Sequence, residues 1–259
     1  MFGFSSIYII FEEDIEFYWS RSRIIEKINS LPSGFLPENA KPALGPDATG
    51  LGQIFWYYLE GVDDSGEEVG GWDLDERRTL QDYYIKPSLS SVPGVSEVAS
   101  IGGFVKEFQV DVHPTLLEQY QLSTKDVLNA LNVAQAEGGL RTLEYNQVEY
   151  LLRGNGSIED LNDLEWIPVR VVDQTPLYLK DIANITYGPA DRRGVLDVSG
   201  KESVGGVVVA QYGANPKKVI EAVQQKIDEL SPSLPKRVLA TGEASQLNII
   251  PFYDRSELI

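Results

Sequence analysis

Apolar and polar positions along the chain switch repeatedly between a period of two and a helical period, which predicts alternating strands and helices. Residues 6–12 form a short apolar run that reads as a strand. Ile24, Ile28 and Leu31 recur at helical spacing, predicting a helix over about residues 15–31 with Asp14 as its N-cap. Leu31-Pro32-Ser33-Gly34 ends it, and an extended segment near Ala43-Leu44 completes a β-α-β unit with nothing to close its sheet.

A second unit opens on Gln53–Glu60, an aromatic strand. Val62–Trp72 is acidic and glycine-rich and reads as an exposed loop. A helix over about Leu74–Ser90 follows, apolar at Leu80, Tyr84, Ile85 and Leu89, with Pro87 predicting a kink or early end. Val92-Pro93-Gly94 then turns the chain into a strand, Ser96–Ile101, that stops at Gly102-Gly103.

The third unit begins with the alternating strand Lys106–Val112 and a short helix from His113-Pro114 to about Tyr120. Ser123 and Asp126 have capping-box spacing and start a helix to about Gln135. Gly138-Gly139 leads into Leu140–Arg153, a hairpin or arm; a helix at Leu161–Trp166 and strands at Val169–Val172 and Ile182–Tyr187 follow. The last unit has strands at Val195–Val198 and Val204–Tyr212, where Gly205-Gly206 predicts a bulge or a close backbone approach. Asn215-Pro216 starts a helix with Val219, Val223, Ile227 and Leu230 on one face; Pro232 and Pro235 stop it, and Leu247–Pro251 is the closing strand.

Each helix is amphipathic on one face only, so the fold class is α+β: α/β sandwiches of the ferredoxin-like β-α-β-β-α-β kind. The second and fourth units pair across the third, an inserted α+β unit, while the first lacks its partner.

Composition narrows the function. A net charge of −17 over 259 residues, without a dense basic patch, argues against nucleic-acid binding and for an acidic, solvated surface. With no cysteine, neither disulfides nor thiolate metal sites are available, and one histidine and one methionine leave little for soft ligation. No apolar run approaches the ~18 residues of a membrane helix, and no basic stretch precedes the first apolar run as in a signal peptide. Both ends read as cut from something longer.

No catalytic set emerges, so an enzyme is not expected and no cofactor is called for. His113 stands beside Asp111 and Pro114 with no positioned partner. There is no GxSxG, HExxH or phosphate loop. Gly50-Leu51-Gly52 is followed by a strand, which withholds the helix N-terminus that dinucleotide binding uses. Asp63–Glu68 offers hard oxygen ligands but not EF-hand spacing, and reads as a solvated loop. The shaped connector Gly45–Phe55, GPDATGLGQIF, with three glycines and a proline ahead of the aromatic strand, marks a joint.

Four stretches resemble one family: FGFSSIYIIFEEDIEFYWSRSRIIEKINSLP (2–32), LGPDATGLGQIFWYYLE (44–60), RTLQDYYIKPSLSSVPGVSEVASIGGFVKEFQV (78–110) and PLYLKDIANITYGPADRRGVLD (176–197). They resemble the heavy-metal branch of the resistance-nodulation-division efflux pumps, and NIIPFYDRSELI (248–259) is similar to that family's lead into its second membrane helix. The resemblance implies the first periplasmic portion of a trimeric, proton-driven pump of the bacterial inner membrane. That pump exports metal cations through a periplasmic adaptor and an outer-membrane channel. Residues 1–45 then resemble the second half of the first porter subdomain. Residues 46–105 and 189–259 resemble the two halves of the second porter subdomain, and 106–188 the docking subdomain with Leu140–Glu149 as an arm toward a neighbouring protomer. Proton-relay carboxylates and the methionine ligands of copper/silver members belong to other parts of such pumps: the membrane helices and the second periplasmic portion.

The resemblance also puts residues after the connector on the substrate path: Gln53, Phe55, Glu97 and Ile101. Zinc-type members carry glutamate where Gln53 stands, and a neutral amide oxygen is a weaker ligand for a divalent cation. Glu97 is therefore the carboxylate candidate for metal contact, sharing a strand face with Ala99 and Ile101. Gly45, Gly50, Gly52, Gly102 and Gly103 are the hinge candidates for rigid-body motion. Two other functions fit the residues: a ferredoxin-like binding module without transport, and a drug-type pump whose pocket uses Phe55, Trp56 and Tyr57.

Overall fold

The aromatic run becomes β1 (Gln53–Val62), the middle strand of the main sheet. The structure is a computed structural model, and it describes residues 5–37, 40–135, 141–145, 148–152, 158–172, 174–192 and 194–258. Beside β1 lie β12 (Ala244–Asp254) and β10 (Lys201–Ala210), with β2 (Val95–Gly102) beyond β10. The order β12-β1-β10-β2 is antiparallel throughout, and in chain order these strands are the fourth, first, third and second. With one helical segment after β1 and another after β10, that is the ferredoxin-like arrangement. Short β11 (Lys236–Val238) extends the β12 edge and β9 (Leu196–Val198) pairs with β10. Neither β9's partner register nor β11 itself is visible as periodicity, because three residues carry no alternation to read.

Helices cover one face of this sheet. α7 (Pro216–Leu230) starts as predicted: Asn215 accepts from Lys218 N, and Pro216 fills a position whose N–H has no helical partner. Its Val219, Ile220, Val223, Ile227 and Leu230 are buried against Phe55, Leu59, Val98 and Val208. Full burial of one such aliphatic side chain contributes roughly 2 kcal/mol. The other helical layer is α2 (Leu74–Leu80), a π turn (Gln81–Ile85) and α3 (Lys86–Ser90). Pro87 does not end this segment. It lacks the N–H for an ordinary helical bond, and the wider turn before it, where Lys86 N–H reaches Gln81 O, takes up the mismatch. The segment runs on to Ser90, with Ile85 and Leu89 fully buried.

A chain of polar groups runs through this layer. Tyr57 Oη donates to Gln81 Oε1 at 2.9 Å, and Gln81 Nε2 donates to Ser100 Oγ at 3.3 Å. The loop at 62–72 is less exposed than its composition predicts at its end. Trp72 is buried, with its indole N–H on Ser245 Oγ and Arg237 stacked 3.7 Å over the ring. A bulky aromatic beside an open edge gains more by packing than the surrounding acidic residues lose.

A second core lies elsewhere. β3 (Lys106–Val112) and β8 (Ala183–Pro189) pair along their whole length. α4 (Pro114–Gln119), α5 (Thr124–Ala134) and α6 (Leu161–Glu165) pack Leu117, Val127 and Leu164 against Leu179, Ile182 and Ile185. The capping box of α5 forms as expected, Ser123 and Asp126 bonding each other's backbone N–H. β6 (Pro168–Val172) pairs with β7 (Thr175–Tyr178), a strand with no signal of its own in the sequence. β4 (Arg141–Tyr145) and β5 (Val148–Leu152) form the expected hairpin. Gly138, Gly139, Leu140 and Arg153, named for its ends, lie outside the described residues.

The first unit departs from expectation. Residues 5–12 form no strand, and Ile7, Tyr8 and Ile10 are exposed. Strand propensity yields a strand only where a second strand supplies hydrogen bonds, and none does so among the described residues. α1 (Phe17–Asn29) is shorter than predicted and is capped by Glu16, not Asp14; its carboxylate accepts from Tyr18 N and Trp19 N. Ile24, Ile28 and Leu31 are half-buried, and among the described residues no sheet lies beneath them.

Tyr58 supplies a pH test of this packing. Its hydroxyl donates to Glu68 Oε1 at 2.6 Å, and burial, then that carboxylate, push its pKa up to about 12. The unfolded chain ionises tyrosine near 10, so the contribution is whole below pH 10 and is lost as pH rises toward about 12. Tyr58→Phe is expected to flatten the fall in thermal midpoint between pH 10 and 12. Equal slopes in variant and parent would remove Tyr58 from the account.

Candidate functional site

Strand β1 reads Gln-Ile-Phe-Trp-Tyr-Tyr-Leu-Glu-Gly-Val, and a bulge near its start decides which side chains face out. Gln53 pairs with Val209 and Phe55 with Val208, so Ile54 is an extra residue between them. A bulge lets two consecutive side chains share one side of the sheet. Ile54 and Phe55 are accordingly both buried in the helix-side core, whereas Gln53 is exposed. From Trp56 onward alternation resumes, with Tyr57 and Leu59 inward and Trp56, Tyr58 and Glu60 outward.

The ladder then sets three rows across the outer face. Gln53 of β1 pairs with Val209 of β10, which pairs with Glu97 of β2. The next row is Trp56, Val207 and Ala99; the third is Tyr58, Gly205 and Ile101. Three of the four path candidates, Gln53, Glu97 and Ile101, thus share one face. Gln53 and Glu97 flank Val209 two strand spacings apart, about 10 Å between backbones. Phe55 stands apart on the opposite side, fully buried with its ring 6.4 Å from Tyr57. In this conformation it presents no surface to a passing ion.

The outer face is aromatic beside these rows. Phe252 of β12 meets Trp56 edge-on at 6.0 Å and lies 6.1 Å from Tyr58. Within these three rows oxygen ligands are sparse: the carboxylate of Glu97, which is half-buried, and the amide carbonyl of Gln53. Among the described residues no group of three or more His, Asp or Glu side chains is placed to hold a metal. A hard divalent cation takes six or more oxygens, so this face can complete only part of a coordination shell. The acidic turn at 63–68 is turned in on itself. Asp63 accepts from Ser65 Oγ and from the N–H groups of Ser65 and Glu67, and the Ser65 hydroxyl first among these holds its carboxyl below the usual range.

The glycines differ in kind. Gly50–Gly52 is a single 3₁₀ turn, and a Cβ on Gly52 would press on Ala210 O and Val209 Cγ1, both at 3.1 Å. Gly45 has open space around it. Gly102 and Gly103 both have left-handed backbone, φ 76° and 60°, and are hemmed in by Ser203 O, Leu196 and Val204. That joint holds two consecutive conformations that only glycine adopts cheaply. Between the connector, the turn after β10 and Arg255 lies a cleft of about 380 Å³ lined by Leu51, Ile54, Tyr212 and Pro216. Sequence reasoning missed Val209, the residue that separates Gln53 from Glu97, because pairing across non-adjacent segments leaves no local signal.

The sequence pattern of the AcrB/AcrD/AcrF family matches residues 2–259. The cation efflux system protein CusA of Escherichia coli O157:H7 is 42% identical over 259 residues, covering all of this chain and 23% of that protein. The cobalt-zinc-cadmium resistance protein CzcA of Cupriavidus metallidurans is 31% identical over 259 residues, again 100% of this chain and 23% of the relative. A crystal structure of a heavy metal efflux pump superposes with a TM-score of 0.76 at 29% identity, covering 96% of this chain and 23% of that one. The chain spans about a quarter of the length of the relatives it matches.

Proposed function

This chain belongs to the AcrB/AcrD/AcrF family, and on that premise we propose that it forms the periplasmic porter-and-docking portion of an inner-membrane pump that exports metal cations. Its role is passage and gating, not bond chemistry. Residues 46–105 and 189–259 are the two halves of one porter subdomain, 106–188 the docking subdomain, and 1–45 half of another porter subdomain. The rest of the same pump chain supplies the membrane helices and second periplasmic portion. Trimerisation, a periplasmic adaptor and an outer-membrane channel complete the assembly. Gly45, Gly50 and Gly52 are proposed as the joint between the first two subdomains, and Gly102-Gly103 as a stiffer pivot into the docking part.

The observation that carries the reading is the outer-face row Gln53–Val209–Glu97, which sets a carboxylate and an amide oxygen on one open sheet face next to the connector. Glu97 is the metal-contacting candidate, with Ile101 and the Trp56 row as walls. The drug-type alternative loses its argument at Phe55 and Tyr57, whose rings are buried in the core.

The test uses the full-length protein that contains this chain, in cells sensitised to metals. Affinity at oxygen sites follows ligand charge, so Glu97→Gln is expected to lower tolerance about tenfold for the exported cation. Gln53→Glu is expected to raise tolerance toward divalent zinc or cobalt. Unchanged tolerance in both variants at equal expression would sink the assignment of this face.

A further inference from the structure

The connector carries contacts that the export reading does not use. Arg21 of α1 donates from Nη2 to Gly45 O at 2.9 Å and from Nη1 to Pro46 O at 3.1 Å. Asp47 then divides its acceptors among three elements. One carboxylate oxygen accepts from Ser96 Oγ of β2 and the other lies 3.5 Å from Tyr18 Oη of α1. Its backbone carbonyl accepts from Tyr212 N at 2.8 Å, in the turn after β10. Tyr212 is also held from α1 directly: Phe17 stacks on its ring at 4.4 Å, and Tyr18 Oη donates to its carbonyl at 3.3 Å.

These contacts meet a helix with little else to hold it. Within α1 only Ser20 is buried, while Tyr18, Trp19 and Ile25 are exposed. A helix docked by burial resists displacement continuously, whereas one docked by a few directional bonds releases as a unit when those bonds break. Ser96 is the residue before Glu97, so a pull on the Asp47 carboxylate reaches the end of β2 that carries the outer-face carboxylate.

We propose that Asp47 is a latch: it fixes α1 to the ferredoxin-like domain and makes the swing of α1 about Gly45–Asp47 and displacement of the Ser96–Glu97 end of β2 one event. The latch goes beyond the export reading and involves no metal, so its failure and the failure of that reading are separable. Asp47 acts through Ser96 and is a positioning residue.

The test exploits a chain with no native cysteine. Spin labels on Lys27→Cys in α1 and Glu221→Cys in α7 of the 259-residue chain report the distance between helix and domain by pulsed electron resonance. The parent is expected to give one narrow distribution. Asp47→Ala is expected to broaden it toward longer distances, Ser96→Ala to broaden it in the same sense, and the double variant to go no further than Asp47→Ala alone. An unmoved distribution in Asp47→Ala overturns the latch. A silent Ser96→Ala, or additive broadening in the double variant, overturns the coupling to β2. A second label pair, Ser90→Cys with Glu221→Cys, reports the integrity of the sheet domain. Where Asp47→Ala moves that pair too, Asp47→Asn is read instead under the same criteria.

Discussion

Gly205→Ala is expected to cost the ferredoxin-like domain about 3 kcal/mol, enough to move its urea midpoint well below that of the parent. A Cβ at this position would lie 2.1 Å from Tyr57 O, 3.0 Å from Tyr58 Cα and 2.9 Å from Leu196 Cδ2. Leu196 can turn away. The backbone of β1 cannot, because Tyr58 and Gly205 are directly paired in the central ladder. Gly206→Ala makes the informative control. Its Cβ would meet Tyr57 Oη at 2.4 Å and Gln81 Nε2 at 2.9 Å, both side-chain ends. Those ends can shift at the expense of one buried hydrogen bond, about 1–2 kcal/mol. A Gly205→Ala midpoint no lower than that of Gly206→Ala would show that the β1–β10 contact is not the constraint described.

The adjacent glycines were legible as a pair in the sequence, and the close approach they predicted is present on both sides of the sheet. Gly205 yields to the β1 backbone and Gly206 to the Tyr57 ring. Elements with their own periodicity and caps were legible in the same way: α5 through Ser123 and Asp126, and α7 through Asn215-Pro216. Where a feature depends on a distant segment, the sequence was silent or misleading. The run at 6–12 has every local property of a strand but no partner here. The faces of β1 depend on one extra residue, which simple alternation does not anticipate, and the path candidates Gln53 and Phe55 turn opposite ways because of it. Glu97 and Gln53 could each be picked out, but their common row requires knowing that β10 lies between β1 and β2. Asp47 gave no signal, since its three partners lie 29, 49 and 165 positions away in the chain.

Arg77→Ala is expected to cost a further domain-wide 3 kcal/mol or so. Arg77 is buried at the end of the helical layer, and its Nη1 reaches Leu59 O and Glu60 Oε2, both at 3.1 Å, and Ser203 Oγ at 3.5 Å. Truncation takes the guanidinium from all three; Leu59 O keeps Ser203 Oγ, but the Glu60 carboxylate, its side chain only 14% exposed, loses its ion-pair partner. The larger part of the loss is that uncompensated charge. Glu60→Gln placed on top of Arg77→Ala is therefore expected to recover part of the midpoint, which chemical denaturation of the single and double variants measures. A double variant less stable than Arg77→Ala would mean that the carboxylate is not the group left in difficulty.

The extra residue at Ile54 makes β1 a phase shifter. Upstream of it the strand's odd-numbered position looks outward; downstream the even-numbered ones do. Deleting Ile54 would restore simple alternation, with Gln53 still outward opposite Val209 and Phe55 inward, and would take one apolar side chain out of the helix-side core. The extra residue thus lets the strand bury two apolar side chains in a row while Gln53 keeps its place on the outer face.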